Sequence, residues 1–474
     1  MSALSELAVP SYISPAIMAL FNPTDKRTVH FMGIGGAGMS ALALIACRRG
    51  VLVSGCDVDP SGAADLEALG IRVFAGHDGS HLAGVRAVVV TAAVKPSHPE
   101  LEKARELGLP IVPRKVALAE LIEGAQAVGI SGTHGKTTTT VMTTEALTAA
   151  GLHPTGIAGG RVSAWGGNAR VAGDELFVVE ADEYDKAFLT LHPTIAVVNN
   201  VEPDHLECYG SMAALEDAFV EFAGRARIAV VSADDAGARK ISGRIGTRLL
   251  RFGLDADADL RIGDIVQRAD RTEARIHWRG GRSLAIQLRV PGLHNLRNAV
   301  AALAVVDALG GALEPAAAAL SEFQGVGRRF ERLGEFAGVA VVDDYAHHPS
   351  ELSATLSAAR QAFPGRRLVA VFQPHLYSRT AAHGQAMGQA LAAADLVIVT
   401  EIYPAREQPI AGVSGQQVAD AAERAGADTR FEPTRAEVGR TVYQALRSGD
   451  VVLTLGAGDI TRVAPELVRW LSAA

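Results

Sequence analysis

The strongest constraint on this chain is a short loop. Gly132-Thr133-His134-Gly135-Lys136-Thr137-Thr138 follows an apolar strand, Ala127–Ile130, and opens a helix near Lys136. A strand that passes through a glycine turn directly into a helix commits the chain to βαβ construction, with helices covering a parallel sheet. It also provides for an anion. Backbone N–H groups at the turn cradle phosphate oxygens, Lys136 sets a positive charge on them, and the Thr137 hydroxyl is available to a magnesium ion. Ile130 stands where a strict G-x-x-x-x-G-K-[ST] pattern has glycine, so the match is one of chemistry rather than of letters. A lysine that merely begins a helix would not require two glycines and a run of threonines around it.

The flanking sequence repeats this alternation. Upstream, strands are predicted at Thr28–Met32, Val51–Gly55 and Ala87–Thr91, with a helix from about Met39 to Arg49. Between the first strand and that helix stands Gly33-Ile34-Gly35-Gly36-Ala37-Gly38, a G-x-G-x-x-G in its proper context, with Asp57 near the end of the second strand. This reads as a nucleotide diphosphate site, with Asp57 accepting from a ribose hydroxyl. The other reading is a tight turn without a ligand. NAD is not required, because UDP-sugars carry a diphosphate too.

Downstream, the strands Leu176–Glu180 and Ile195–Asn199 each end in polar clusters, Glu180-Ala181-Asp182-Glu183-Tyr184-Asp185 and Asn199-Asn200-Val201-Glu202-Pro203-Asp204-His205. Parallel strands bring such ends to one edge, where carboxylates and an imidazole suit Mg²⁺. Glu180 and His205 are the favoured ligands, ahead of Asp182, Glu183 and Asp185, whose other reading is a solvated acidic loop. From Thr247 to Pro291 the alternation and the turn Arg279–Arg282 predict antiparallel hairpins, and a helix runs from Asn295 to about Leu309. Asn295 either caps that helix or reads a base edge. A third doubly wound pattern has strands at Val339–Asp343, Arg367–Phe372, Asp395–Thr400 and Asp450–Leu455. Boundaries fall near 124 and 327.

Composition excludes several classes. A net charge of −7 offers no global field for nucleic acid, and no apolar run reaches membrane-spanning length. The N-terminus lacks a basic-then-apolar signal pattern, and three unpaired-looking cysteines suit a reducing compartment, so a cytoplasmic protein is expected. Cys208 reads as a buried small residue rather than a reactive thiol.

The G-T-x-G-K-T-T loop, the Glu180–Glu183 strand end, the Asn200–His205 strand end and His294-Asn295-Leu296-Arg297-Asn298 together resemble the Mur ligases of bacterial cell-wall synthesis. The likeness runs from about Val29 to Asp459. Gly33–Ser40, the run Asp343-Asp344-Tyr345-Ala346-His347-His348-Pro349, Phe372–Thr380 and Ile402–Glu407 resemble the branch that adds L-alanine to UDP-N-acetylmuramate. Cys56, His98, Tyr184 and Lys186 depart from the commoner pattern. The resemblance implies an α/β fold of three domains: a Rossmann-like UDP-sugar-binding domain (1–124), a P-loop-type ATPase domain with a small antiparallel sheet (125–327), and a Rossmann-like doubly wound ligase domain (328–474). It implies ATP and Mg²⁺ as cofactors and an acyl-phosphate intermediate. The implied catalytic residues are Lys136, Glu180, His205, His347 and Arg379. ATP is expected on Gly132, Thr133, His134, Gly135, Lys136, Thr137, Thr138, Asn295, Arg329 and Asp344, and the UDP-sugar on Gly33, Gly35, Gly36, Ala37, Gly38, Met39, Ser40 and Asp57. The amino acid and carboxylate are expected near Tyr345, His347, His348 and Arg379, and the metal on Thr137, Glu180 and His205. Some related ligases carry a carbamylated lysine beside the metals. No lysine stands between His205 and Arg239, so carbamylation is not expected, and Glu216 or Glu221 is the candidate stand-in. The expected assembly is a monomer or homodimer without nucleic acid or membrane insertion. Competing readings are a ligase that reattaches murein tripeptide to UDP-N-acetylmuramate, an NAD-dependent oxidoreductase, and a non-catalytic nucleotide switch.

Overall fold

The computed structural model describes residues 20–405 and 407–473. The N-terminal stretch read above for a signal pattern lies largely outside them. The described chain forms two compact units. One comprises the residues up to Gly129 together with His153–Thr194, and the other comprises Ile130–Leu152 and Ile195–Ala474.

In the first unit, β1 (Thr28–Met32), β2 (Val53–Asp57), β3 (Arg72–Ala75), β4 (Val85–Val90) and β5 (Ile111–Pro113) form a parallel sheet in the order β3-β2-β1-β4-β5. The order reverses between β1 and β4, the crevice where such sheets bind ligands. The glycine turn leaves β1 at that point. Gly33 has φ +81°, and a Cβ there would stand 3.1 Å from Thr91 Cγ2, so this turn admits only glycine without strain. β6 (Gln126–Ser131) carries the chain across the division between the units. The first unit also holds β7 (Thr155–Val162), antiparallel to β8 (Gly167–Arg170) and parallel to β9 (Leu176–Glu180).

In the second unit, β10 (Ile195–Val198), β11 (Ile228–Ser232), β12 (Arg248–Gly253) and β13 (Leu260–Gln267) run parallel, and β13, β14 (Thr272–Trp278) and β15 (Ser283–Leu288) form an antiparallel meander. This corrects the sequence reading of 247–291 as hairpins throughout. β12 pairs with β11, and the antiparallel part begins only at β13. The last sheet has the order β16-β17-β21-β18-β19-β20, from β16 (Glu331–Phe336), β17 (Val339–Asp344), β18 (Leu368–Phe372), β19 (Leu396–Thr400), β20 (Asp428–Glu432) and β21 (Val451–Leu455). Only β16 is antiparallel to its neighbour. Its central strands are valine-rich and buried on both faces, which is why they read as continuous apolar runs. Separate apolar cores lie on its two sides, around Leu356, Phe372 and Met387 on one and Val371, Val442 and Leu467 on the other.

The helix Lys136–Ala149 begins with a run of threonines, β-branched residues that weaken an isolated helix. Packing sustains it. Thr137 to Thr144 are all buried, and the hydroxyls of Thr144 and Thr148 donate to the carbonyls of Thr140 and Thr144. Among the described residues, no helix is long and apolar enough to cross a membrane.

Candidate active site

The phosphate-type loop is built by the ends of β6 and β10. Gly132 has φ +133°, and a Cβ on it would lie 3.0 Å from Asn199 Cβ, so Asn199 can approach only a glycine. The loop is then held by side chains from the strand end. His134 N–H donates to Asn200 Oδ1 at 2.7 Å, Glu202 N–H donates to Thr133 Oγ1 at 2.9 Å, and Asn199 Nδ2 donates to Thr139 Oγ1 at 2.9 Å. Gly135 caps the helix Lys136–Ala149 without a side-chain acceptor, so the first N–H groups of a long helix stay open to an anion. Lys136 Nζ donates to the Gly132 carbonyl at 2.8 Å and lies 3.4 Å from that of Thr133, which puts the ammonium inside the loop.

A cavity of about 320 Å³ adjoins this loop. His134, Gly135, Thr138, Asn295, Arg329 and Asp344 line it, six of the residues expected on ATP. Asn295 is not the helix cap. Gly292 caps Leu293–Ala308, and Asn295 sits in its first turn with Nδ2 donating to the Pro291 carbonyl at 2.7 Å. Asp344 accepts from the N–H groups of Phe330 and Ala346, each at 2.7 Å, and burial pushes its carboxyl up to about 6.

An ion network crosses the cavity. His134 Nδ1 is 3.2 Å from Glu351 Oε1, and its Nε2 is 3.4 Å from Glu202 Oε2. Burial alone would lower the His134 pKa, but Glu351 and then Glu202 outweigh it and raise it from 6.5 to about 9. Held between these two carboxylates, His134 is a cation at neutral pH, and its donor atoms lie near those of Glu202 and His348. His348 Nδ1 accepts from Ser350 N–H in the capping box of helix Pro349–Ala362, and Glu351 supplies the other half of that box. Burial lowers His347 to about 3 and His348 and His294 to about 4, so all three are neutral.

These shifts give opposite signs to the two pH limbs. The stabilisation from His134 is complete below 6.5, the unfolded value, and is lost as pH rises through about 9. The three depressed histidines act the other way, stabilising above 6.5 and destabilising as pH falls toward their folded values of about 3 and about 4. Thermal stability is expected to peak near neutrality. Its alkaline limb, worth about 3 kcal/mol at 1.4 kcal/mol per unit, should flatten in His134→Gln. A melting-temperature series against pH checks this, and an unchanged alkaline slope in the variant would refute it.

Arg379 and Asp204 meet next to this network, near enough to His347 to act on its charge. Arg379 Nη2 lies 2.9 and 3.1 Å from the two oxygens of Asp204, and both side chains are largely buried. Arg379 Nη1 is 3.3 Å from His375 Nδ1. His205 has φ +52°, an uncommon backbone for a non-glycine residue, and its ring stands between Asp204 and Glu207. Tyr345 is flanked by the guanidinium groups of Arg328 and Arg329, each 4.9 Å from its ring centre. His347 Nδ1 lies 2.9 Å from the Tyr345 carbonyl, which assigns the proton to Nδ1 and leaves Nε2 as an acceptor.

In the first unit a second cavity, about 740 Å³, is lined by Gly33, Gly36, Ala37, Gly38, Met39 and Asp57. Asp57 Oδ2 accepts from Gly35 N–H at 2.9 Å. Ser40 is buried and accepts from Asn168 Nδ2, and it is not among the lining residues. Lys95 and Arg114 also line this cavity and supply cations that the sequence reading missed, because neither belongs to a motif. Glu180 ends β9 in the same unit and accepts from Gly159 N–H. Asp185 is paired with Lys115 at 2.8 Å, and Asp182 accepts from Tyr184 N–H, so both are engaged locally.

Glu216 is paired with Lys240 at 2.7 Å and Glu221 with Arg225. One expectation is corrected. Cys208 is half-buried rather than buried. Glu202, Asp204 and Glu351 pair with His134 and Arg379 in the site but were not singled out. The first two stood within a motif already noted, and Glu351 shows the x-Pro-x-Glu signal of a helix start.

A glycine loop opening a long helix beside a polar cavity in one unit, and in the other unit a second glycine turn on a Rossmann-like sheet, define a nucleotide-using α/β enzyme. The chain belongs to the Mur ligase family: models of its catalytic domain, middle domain and glutamate ligase domain match residues 28–126, 130–306 and 328–458. It is an ATP-dependent ligase that forms amide bonds. It is 45% identical over 460 residues to UDP-N-acetylmuramate–L-alanine ligase of Cutibacterium acnes, covering 95% of this chain and 98% of that one. The enzyme of the same name from Burkholderia pseudomallei is 44% identical, covering 94% and 98%. Among solved structures, the UDP-N-acetylmuramate–alanine ligase of Thermotoga maritima superposes with TM-score 0.82 at 31% identity, covering 94% of this chain and all of that one. A murein peptide ligase from Psychrobacter arcticus, at 24% identity and TM-score 0.72, shares the fold.

Proposed function

We propose that this chain joins L-alanine to the carboxylate of UDP-N-acetylmuramate, using ATP, as a step in making peptidoglycan precursors. Its similarity to the two alanine ligases over nearly its whole length carries this reading. Family membership sets aside the oxidoreductase and the non-catalytic switch. The tripeptide-adding reading is less well supported, because the solved tripeptide-type ligases are 24% and 29% identical, against 44–45% for the alanine ligases over nearly the whole chain.

A carboxylate does not acylate an amine until one oxygen becomes a good leaving group. In the proposed reaction a muramoyl carboxylate oxygen attacks the γ-phosphorus, the bridging P–O bond breaks and ADP leaves. The alanine nitrogen then attacks the acyl carbon, the C–O bond to phosphate breaks, and inorganic phosphate and a proton leave. Phosphoryl transfer between anions calls chiefly for positioning and charge, which Lys136, the open helix N-terminus, Arg329 and His134 supply. Mg²⁺ would neutralise developing phosphate charge. Thr137 and His205 are the groups of the second unit proposed to hold it, and the buried, unpartnered Asn199 Oδ1 near the loop suits a cation or its water. His347, neutral with Nε2 as acceptor, is proposed to orient the amine by accepting a hydrogen bond from it, its depressed basicity leaving the proton to pass to solvent or phosphate. Gly33–Gly38, Met39 and Asp57 are proposed to hold the UDP group. The three free cysteines suit a cytoplasmic enzyme.

Phosphate release from MgATP with UDP-N-acetylmuramate tests this, with L-alanine and murein tripeptide in parallel. Release that requires both L-alanine and the UDP-sugar is expected. Release with tripeptide alone would overturn the assignment.

A further inference from the structure

Four potential ligands converge behind the glycine turn of the first unit, none of them given a role above. His30 comes from β1, Cys56 from β2, His81 from the turn Gly79–Leu82, and Glu100 from the first turn of helix Pro99–Glu106. His30 and Cys56 are 0% exposed and Glu100 is 1% exposed. His30 Nε2 is 3.4 Å from Cys56 Sγ and 3.2 Å from Glu100 Oε1, Cys56 Sγ is 3.3 Å from Glu100 Oε2, and His81 Nδ1 is 3.5 Å from Glu100 Oε1.

We propose that His30, Cys56, His81 and Glu100 form a binding site for a divalent transition-metal ion of the zinc class. A tetrahedral zinc site with bonds of 2.0–2.3 Å has neighbouring donors about 3.3–3.8 Å apart, close to the spacings found. One thiolate, two imidazoles and one carboxylate form a donor set suited to zinc, whereas magnesium and calcium take oxygen donors. The imidazole of His30 is oriented for the task. Its Nδ1 is 2.9 Å from Ser54 Oγ, which turns Nε2 toward the other three donors. His81 Nδ1 is buried without a hydrogen-bond partner, an orphan that an ion would satisfy. His77 stands 3.0 Å from Cys56 Sγ and lines the adjoining cavity, so the site lies one ring from the pocket.

Binding would replace the thiol proton with the metal, the proton passing to solvent. It would also reach the glycine turn, because the Cys56 carbonyl accepts the N–H groups of Gly33 at 2.8 Å and Ile34 at 3.1 Å. The ion would thus stiffen the strand end that shapes the 740 Å³ cavity of the first unit.

The full chain, reduced, stripped with chelator and kept anaerobic, is titrated with Co²⁺ and then Zn²⁺. A thiolate-to-cobalt charge-transfer band and intense tetrahedral visible bands are expected, bleached by zinc, with a rise in melting temperature on adding zinc. Cys56→Ser should lose the charge-transfer band, while Cys47→Ser and Cys208→Ser keep it. His81→Gln, in a short turn and so less tied to folding of the sheet, should bind cobalt at least about ten-fold more weakly. No band in the parent, a band that persists in Cys56→Ser, or parental affinity in His81→Gln would each overturn the proposal and leave a buried hydrogen-bond network.

Discussion

Lys136→Met is expected to lower phosphate release by about 10³-fold, roughly 4 kcal/mol of transition-state stabilisation. The argument rests on where the charge sits. Lys136 Nζ already lies within the loop, 2.8 Å from the Gly132 carbonyl, so a phosphate drawn to the open helix N-terminus would meet it without rearrangement. Phosphoryl transfer demands little of a protein except charge and alignment, so removing the one ammonium of this loop removes a large share of both. Lys136→Arg should not restore the rate, because a planar fork does not replace a compact point charge among backbone carbonyls. Lys136 is only half-buried and the helix behind it is held by its own packed face, so the melting temperature should move little. Steady-state phosphate release and circular dichroism on the same samples decide it. A variant that keeps more than about a tenth of parental turnover would remove Lys136 from the proposed chemistry.

Why the loop was readable and its supports were not is a matter of sequence distance. The strands that end at the site are short valine-rich runs, and burial on both faces writes that pattern into the local sequence, as in Val339–Asp344 and Val451–Leu455. β16 and β12 lack it. β16 alternates between half-buried and exposed residues, and β12 is largely half-buried, so each resembles a hairpin arm. The partner of β12 is β11, and no local feature records whether a strand pairs in parallel with a neighbour. The site follows the same rule. Gly132–Thr138 is one contiguous motif, whereas the charges around it come from Glu202 and Glu351, brought together by the fold. Glu351 is doubly disguised, because its capping-box position already gives it a structural purpose. Ser40 is a contrasting case. It belongs to a contiguous motif, yet its place on the helix Ala37–Arg48 turns it toward Asn168 rather than into the cavity.

Arg379→Met should destabilise the protein by about 3–5 kcal/mol, the usual result of stranding one member of a buried ion pair. Asp204 would be the stranded charge. Burial alone would raise its pKa, but Arg379 holds it well below the usual carboxylate range, so the pair is mutually dependent. The two residues are 175 positions apart, and their contact ties the end of β10 to the start of helix Tyr377–Leu391, where Leu376 adopts φ +69°. Asp204→Asn alone should also destabilise, by leaving the guanidinium buried and unpaired. Combining it with Arg379→Met should recover about 2 kcal/mol or more, since neither charge then remains alone. Denaturant melts of the four proteins measure this coupling, and a loss below about 1 kcal/mol in Arg379→Met would show the pair to be solvated and weak. Activity separates the two roles of Arg379. Its Nε is buried without a hydrogen-bond partner, a donor left over after Asp204 and His375 are served. If the double variant regains stability and turnover together, Arg379 only positions the strand end. If it regains stability while turnover stays low, the guanidinium also serves the anionic substrate.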